Sequence, residues 1–343
     1  MSYQVSLSRH VSSRAVGLAA AMLLSAAIAH AQQAGSLQAY GVLDISAGSF
    51  KDAGSQRSTQ VSPGNMTTSF FGFKGNEDLG DGLKALFTLE SYMRNDTGAI
   101  GRYDGDTFWS RNAYVGLQNG AGTVKLGRSG TPLFFNTMRY NPFGGSFGFS
   151  PAIRTFFSYT GKVAGDTAWD NAVAYNSPDL NGFTADLLYG AKEQAQGANS
   201  SAAVRYAKGD FSIGLVQQTV KVPFTRGDEK AWQLGSSYDF GVVQVSGLYG
   251  QVKEGDTGKS TANTRDKITQ LGVSVPVGGN NAIMASWAQA KTSGAFIATR
   301  TFVTLGYDQR LSKRTDVYGI VMSDRWTGRD SGSTVAVGIR HAF

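Results

Sequence analysis

The sequence predicts an all-β chain: a sixteen-stranded antiparallel transmembrane β-barrel with a long third loop folded into the lumen. Three observations carry that expectation. Segments of about ten residues alternate in polarity with a period of two, as strands with one apolar face do. Their connections alternate between short turns and long polar stretches. The chain also ends inside such a segment, "STVAVGIRHAF" at 333–343, where most domains trail into a polar tail.

From the N-terminus, residues 1–31 read as a signal peptide. Arg9, His10 and Arg14 form a basic region, "AVGLAAAMLLSAAIA" an apolar core, and Ala29-His30-Ala31 a small-x-small cleavage site. The apolar run from Ala15 to Ala29 is too short to span a bilayer as a helix, which takes roughly 20 residues. The barrel is then expected over 32–343. The formal charge of +7 falls by two as Arg9 and Arg14 leave, and the surplus is scattered. It has none of the clustered basic tracts that nucleic-acid binding requires.

Composition narrows the chemistry further. There is no cysteine, which excludes disulfides and thiol catalysis. Of three histidines only His341 lies beyond the leader, so a catalytic triad or a multi-histidine metal site would depend on that residue. No enzymatic activity, metal or other cofactor is expected. The 44 glycines against 7 prolines suit tightly turning, closely packed strands better than helices.

The strand pattern recurs along the chain. "FTADLLYG" sets Phe183, Ala185, Leu187 and Tyr189 against Thr184, Asp186 and Leu188; "WQLGSSYDF" and "VVQVSGLYG" behave alike. Short turns are expected at 76–82, 118–122, 177–182, 208–210, 239–241, 277–281 and 312–315. Longer connections fall near 50–62, 95–107, 131–166, 193–200, 222–228, 254–265, 293–299 and 327–331. Seven short and eight long connections join sixteen strands. In a membrane every backbone group of such a sheet must be satisfied internally, so it closes on itself, the last strand pairing with the first near 36–46. Tyr92, Tyr189, Phe240, Tyr249 and Phe343 are candidates for interfacial girdles.

"AYGVLDISAG" (39–48), "SFFGFKGNEDLGDGLKALFTLE" (69–90), "AYVGLQNGAGTVKLGR" (113–128), "NAVAYNSPDLNGFTADLLYG" (171–190), "LSKRTDVYG" (311–319) and the terminal "VGIRHAF" resemble the general porins of Gram-negative outer membranes, of the β-proteobacterial type. The resemblance implies a homotrimer of sixteen-stranded barrels in the outer membrane, each a water-filled pore narrowed by its third long loop. It implies passive diffusion of small hydrophilic solutes and ions. Outer-membrane lipid and lipopolysaccharide would surround the barrel, and Phe343 would be the signal read by the barrel-assembly machinery. A substrate-specific channel for an organic anion or phosphate is the alternative. A barrel-borne hydrolase is a weaker one, because no nucleophile motif accompanies His341.

The connection from Thr131 to Asp166 is the longest, and its "NPFGGSFGFSPAIRTFFSY" is poorly suited to bulk water, which favours insertion into the lumen. In "GLKALFTLE", Lys84, Leu86, Thr88 and Glu90 take the lumen parity. The resemblance places Glu90 in the pore opposite arginines and makes Arg111 one of them. Strict alternation from Val115 and Leu117, or from Val124 and Leu126, sets Arg111 and Arg128 on the lipid side. There each would need a bulge, a rim or an interface, since an arginine at mid-depth costs about 2–4 kcal/mol. Relatives often carry Ser-Arg-x-Gly at the second strand, whereas Phe70 and Phe71 follow Ser69 here. Arg139, Arg154 and Lys162 on the third loop are possible replacements, and Asp166 is that loop's lone acid. The expected constriction therefore comprises Arg111, Glu90, Lys84, Arg128, Arg139 and Arg154, with a weak preference for anions.

Overall fold

A computed structural model describes residues 35–157, 163, 165–191, 198–221, 228–254 and 263–343. The expected leader, Lys162 and much of three long connections lie outside the described residues. In chain order the strands are β1 (Ser36–Phe50), β2 (Ser58–Pro63), β3 (Phe70–Gly80), β4 (Leu83–Arg94), β5 (Ala99–Ile100), β6 (Asn112–Asn119), β7 (Gly122–Gly130), β8 (Ala168–Asn176) and β9 (Phe183–Gly190). They continue as β10 (Asn199–Lys208), β11 (Phe211–Lys221), β12 (Asp228–Asp239), β13 (Gln244–Lys253), β14 (Arg265–Pro276), β15 (Ala282–Ser293), β16 (Ala298–Arg310), β17 (Thr315–Trp326) and β18 (Gly332–Ala342). Two short helices, α1 (Pro132–Arg139) and α2 (Pro151–Phe156), interrupt the connection between β7 and β8.

Sixteen strand tracks make the wall. The first half of β1 pairs with β3 and its second half with β2, so β2 and β3 are two pieces of one track, broken at 64–69. The two-residue β5 only folds back on β4. The wall is antiparallel throughout and closes where Val42–Ser49 of β1 meet Val335–Ala342 of β18. Phe343 completes the seam: its N–H donates to the Gly41 carbonyl at 3.1 Å, and the Gly41 N–H returns a 3.3 Å bond. A side chain at Gly41 would collide with this ring, its Cβ falling 2.6 Å from Phe343 Cζ and 2.5 Å from the Phe70 carbonyl oxygen.

The short connection expected at 76–82 shrinks to Asp81-Gly82, both at positive φ as a tight hairpin requires. Asn76, Glu77 and Asp78 extend the strand instead. A ladder that emerges into water can stay paired without an apolar face, so polarity there does not mark a turn.

The apolar face points outward. On β18, Val335, Val337 and Ile339 are exposed by 54%, 64% and 45%, while Thr334 and Ala336 on the other parity are buried. The same outward parity exposes Leu187, Leu215, Leu271, Val303 and Val321 on neighbouring tracks. Tyr189, Phe240, Tyr249 and Phe343 are exposed as girdle residues should be. Tyr92 is not: it shares the parity of Glu90 and is buried on the inner side.

The described residues of the connection between β7 and β8 pack against the inner wall. Leu133 and Phe156 join inward-facing Ala203, Val216, Ala231, Val252, Ile268 and Ala290 in one buried cluster. Phe143 and Phe149 join Met284, Tyr318, Ile320 and Ala336 in another. Helix α1 begins where the Thr131 hydroxyl accepts from the Phe134 N–H and Pro132 fills the first helical position; Ser150 and Pro151 start α2 the same way. Small wall residues make room for the loop. A Cβ on Gly235 would lie 2.1 Å from the Tyr140 ring.

Candidate pore constriction

Among the described residues, the apolar clusters of the third loop take in the inner faces of β10–β18 and Phe50 at the end of β1, and include no residue of β3, β4, β6 or β7, which leaves that stretch of wall open. Across that open wall, Tyr40, Gly72, Glu90 and Asn112 stand side by side in register. Glu90 is buried at their centre. It accepts a 2.5 Å hydrogen bond from the Tyr40 hydroxyl, a bond from the Asn112 amide, and an ion pair from Arg111. The Arg111 guanidinium also lies 4.1 Å from the centroid of Phe70, another inward residue. Arg111 precedes the first residue of β6, where alternation no longer dictates direction, so its side chain can turn to the inner face.

Lys84 lines a cavity of about 310 Å³ with Gln38, Lys74, Thr88, Tyr114 and Gln118. Lys74 stands 4.6 Å from the Tyr40 ring centroid and Lys125 stands 5.1 Å from that of Tyr114. Neither lysine has a carboxylate within ion-pair distance among the described residues. Both are legible as inward, Lys125 from its place between Val124 and Leu126, yet neither is among the residues expected from the sequence. Arg139 is exposed at the last turn of α1, where a cation suits the helix C-terminus.

Two other expected residues are tied into structural clusters. Arg154 is nearly buried on α2, pairs with Asp52 of the first loop at 2.6 Å, and lies 5.0 Å from the Phe302 ring centroid. It fastens the third loop to the wall. Arg128 sits at a break in register between Gly127 and Ser129. Its guanidinium donates to the Ser110 carbonyl at 2.8 Å and pairs with Asp170 at 2.8 Å and Asp166 at 3.2 Å.

Asp166 is gripped from a second side by Arg102 at 2.7 Å, which also holds Asp106 at 2.9 Å. Burial alone would raise the Asp166 carboxyl, but hydrogen bonds and charge from Arg102, with Arg128 beyond, hold it below the usual carboxylate range. Asp106 is lowered against its own desolvation by the same arginine. The second loop thus clamps the far root of the third. Nothing in the local sequence of Arg102 signals a partner 64 positions away, so sequence reasoning does not find it.

A family model described as Gram-negative porin matches residues 17–328. Outer membrane porin protein 32 of Delftia acidovorans is 30% identical over an alignment covering 95% of this chain and 99% of that protein. An outer membrane porin protein of Bordetella pertussis is 27% identical, again covering 95% of this chain and 99% of the relative. Among solved structures, an anion-selective porin from Comamonas acidovorans superposes with a TM-score of 0.78 at 30% identity, over 90% of this chain and 100% of that one. A trimer form of OmpT from Vibrio cholerae shares the fold at 16% identity, with a TM-score of 0.69 over 91% of this chain and 100% of that one. An outward apolar band, a closed sixteen-track wall and an inner face lined with charge are the parts of an aqueous channel, and with these likenesses the chain belongs to the Gram-negative porin family: a passive diffusion channel of the outer membrane, and not an enzyme.

Proposed function

We propose that this porin prefers small anions, and that the preference arises on the open wall opposite the third loop. One observation carries the proposal. Lys74, Lys84 and Lys125 point inward there without ion pairs among the described residues, Glu90 is neutralised by Arg111, and only two inward carboxylates stand beside the lysines, Asp78 in register with Lys84 and Asp186 near Lys125, so cations exceed acids. Exposed Arg139 adds a cation from the loop side. A narrow aqueous pore with low-dielectric walls concentrates the field of a few fixed charges, so this local excess matters more than the net charge of the chain. Arg111 and Glu90 form the neutralised centre of the constriction. Lys84 extends it toward the short-turn end, and Arg154 and Arg128 hold the loops that shape it. The solved relative titled an anion-selective porin supports the reading.

The working unit of the proposal is a homotrimer embedded in outer-membrane lipid and lipopolysaccharide, with Phe343 as the mark read by the barrel-assembly machinery. Residues 1–31 are its export signal. The trimer form recorded for OmpT supports the assembly. Reconstitution into planar bilayers tests the function. Steady ohmic steps with an anion-over-cation permeability ratio above one are expected in a salt gradient, and Arg111→Glu should lower that ratio. Cation preference in the unmodified channel would overturn the proposal.

A further inference from the structure

The third loop presents one aromatic ring to the channel. Among its described residues only Phe135, of the large apolar side chains, is exposed, by 43%. Phe134 beside it packs among Phe147 and Phe157, at ring-centroid distances of 6.0 and 5.2 Å. The wall side of α1 carries its buried residues, and Phe135 stands on the other side, where Arg139, one turn on at i+4, is exposed with it. Gly130 gives the ring its seat, since a Cβ there would fall 2.5 Å from Phe135 Cζ.

Across from this ring the wall supplies a polar set. Phe135 bounds a cavity of about 100 Å³ together with Asn112, Tyr114, Lys125, Ser129 and Leu188. Lys125 shares its row of the ladder with Ala174 and Leu188, and Asn176 faces Asp186 in the row nearer the short turns. The Lys125 ammonium stands 5.1 Å from the Tyr114 ring centroid and has no ion pair among the described residues. Two further polar atoms of the lining are buried with no hydrogen-bond partner among those residues: the Ser129 hydroxyl, on a residue 4% exposed, and Asn176 Oδ1. Asn176 donates from Nδ2 to Asp186 at 2.6 Å, which leaves both Asp186, still charged, and Asn176 Oδ1 as acceptors at that end. Buried polar groups in a folded protein ordinarily have partners.

The ligand that answers these groups is narrow in chemistry. It has a flat apolar ring for Phe135 and Leu188, an anionic group for Lys125 that also accepts from Ser129, and a hydroxyl that donates at the Asn176 and Asp186 end. A closed cavity of about 150 Å³ holds benzene, so this smaller one, with Phe135 exposed at its edge, takes one ring and not two. An inorganic anion would leave Phe135 against water. A neutral phenol would leave Lys125 unanswered.

We infer that this cavity is a transit site for aromatic hydroxy acids, a single benzene ring bearing a carboxylate and a hydroxyl, held between Phe135 and Lys125 on their way through the channel. The inference rests on the reading that places Lys125 in the permeation path, and it adds the ring as a feature the channel distinguishes.

The test uses the full chain in planar bilayers, with 4-hydroxybenzoate as the probe and its saturated counterpart, 4-hydroxycyclohexanecarboxylate, beside it. The two acids carry the same charge and the same hydroxyl and differ in the ring. An aromatic pair adds up to about a tenfold gain in affinity beyond the area it buries, so hydroxybenzoate should interrupt the current at about a tenth of the concentration its counterpart needs. Phe135→Leu should erase that difference, and Phe135→Tyr should keep it. Lys125→Met should weaken block by both acids about tenfold or more, as loss of a charged hydrogen bond does, and leave block by neutral phenol as it is. Lys313→Gln, on a short turn, should change none of these. Equal block by the two acids in the parent would overturn the inference, and that comparison needs no variant. So would a difference that survives Phe135→Leu. A parent that prefers cations in a salt gradient yet keeps the Phe135-dependent difference would remove the ion-preference reading and leave this site in place.

Discussion

At the scale of single residues, Glu90 decides how the open wall is charged. It is buried and accepts from Tyr40, Asn112 and Arg111 together. Glu90→Gln would leave the Arg111 guanidinium without its counter-charge. Breaking a buried pair from one side costs about 3–5 kcal/mol, and the 29% exposure of the Arg111 side chain puts this case at or below the low end of that range. Chemical unfolding of the folded barrel should show that loss, and the surviving channel should be more anion-preferring than the parent. Unchanged selectivity would mean that Arg111 does not face the permeation path. Asp166 gives a second residue-scale expectation. Its folded pKa is depressed, so its contribution to stability is fully present above the ordinary aspartate value of about 3.9 and is lost as pH falls through the lower folded value. Hydrogen exchange at Thr167 should therefore stay slow to below pH ~4, the unperturbed aspartate range. Asp166→Asn should abolish that pH dependence.

At the scale of elements, the third loop is held by shape. Wall glycines meet its aromatic side chains, and Gly235 against Tyr140 is the tightest such approach, 2.1 Å from a built Cβ. Gly235→Val should push α1 off the wall at a cost of about 1–3 kcal/mol of overpacking strain. Single-channel conductance should change with it, because the displaced helix moves into the aqueous path. A variant with parental conductance would show that the loop does not bound the pore. Much of the element layout is legible in the sequence: alternation places the strands and their faces, and the run of polar connections places the third loop. The two helices escape it even though Thr131-Pro132 and Ser150-Pro151 are helix-start signals, because six to eight residues show too few turns for a helical period to stand out. Alternation cannot resolve Arg111 or Arg128. One lies just before a strand and the other at a register break, places where period-two reading stops applying. The partners Asp52 of Arg154 and Arg102 of Asp166 are set by loops converging from distant parts of the chain, which no local pattern encodes.

At the scale of the whole molecule, closure and polarity follow from one constraint. A sheet in lipid must pair all of its edges, so β18 returns to β1 and Phe343 bonds to Gly41 in the seam. Its apolar parity then faces lipid and its other parity faces either the inserted loop or water. Among the described residues, water is left with a wall on which unpaired lysines outnumber the unpaired acids Asp78 and Asp186, and from this the preference for anions is proposed to arise. The most direct test is the zero-current potential across a bilayer in a salt gradient, measured for the parent and for Lys74→Glu, Lys84→Glu and Lys125→Glu combined. The parent should show a potential of the sign set by anions, smaller at high salt because the Debye length shrinks from about 10 Å at 0.1 M to about 3 Å at 1 M. The triple variant should reverse that sign. A parent potential of cation sign, or a triple variant indistinguishable from the parent, would contradict the placement of selectivity on the open wall.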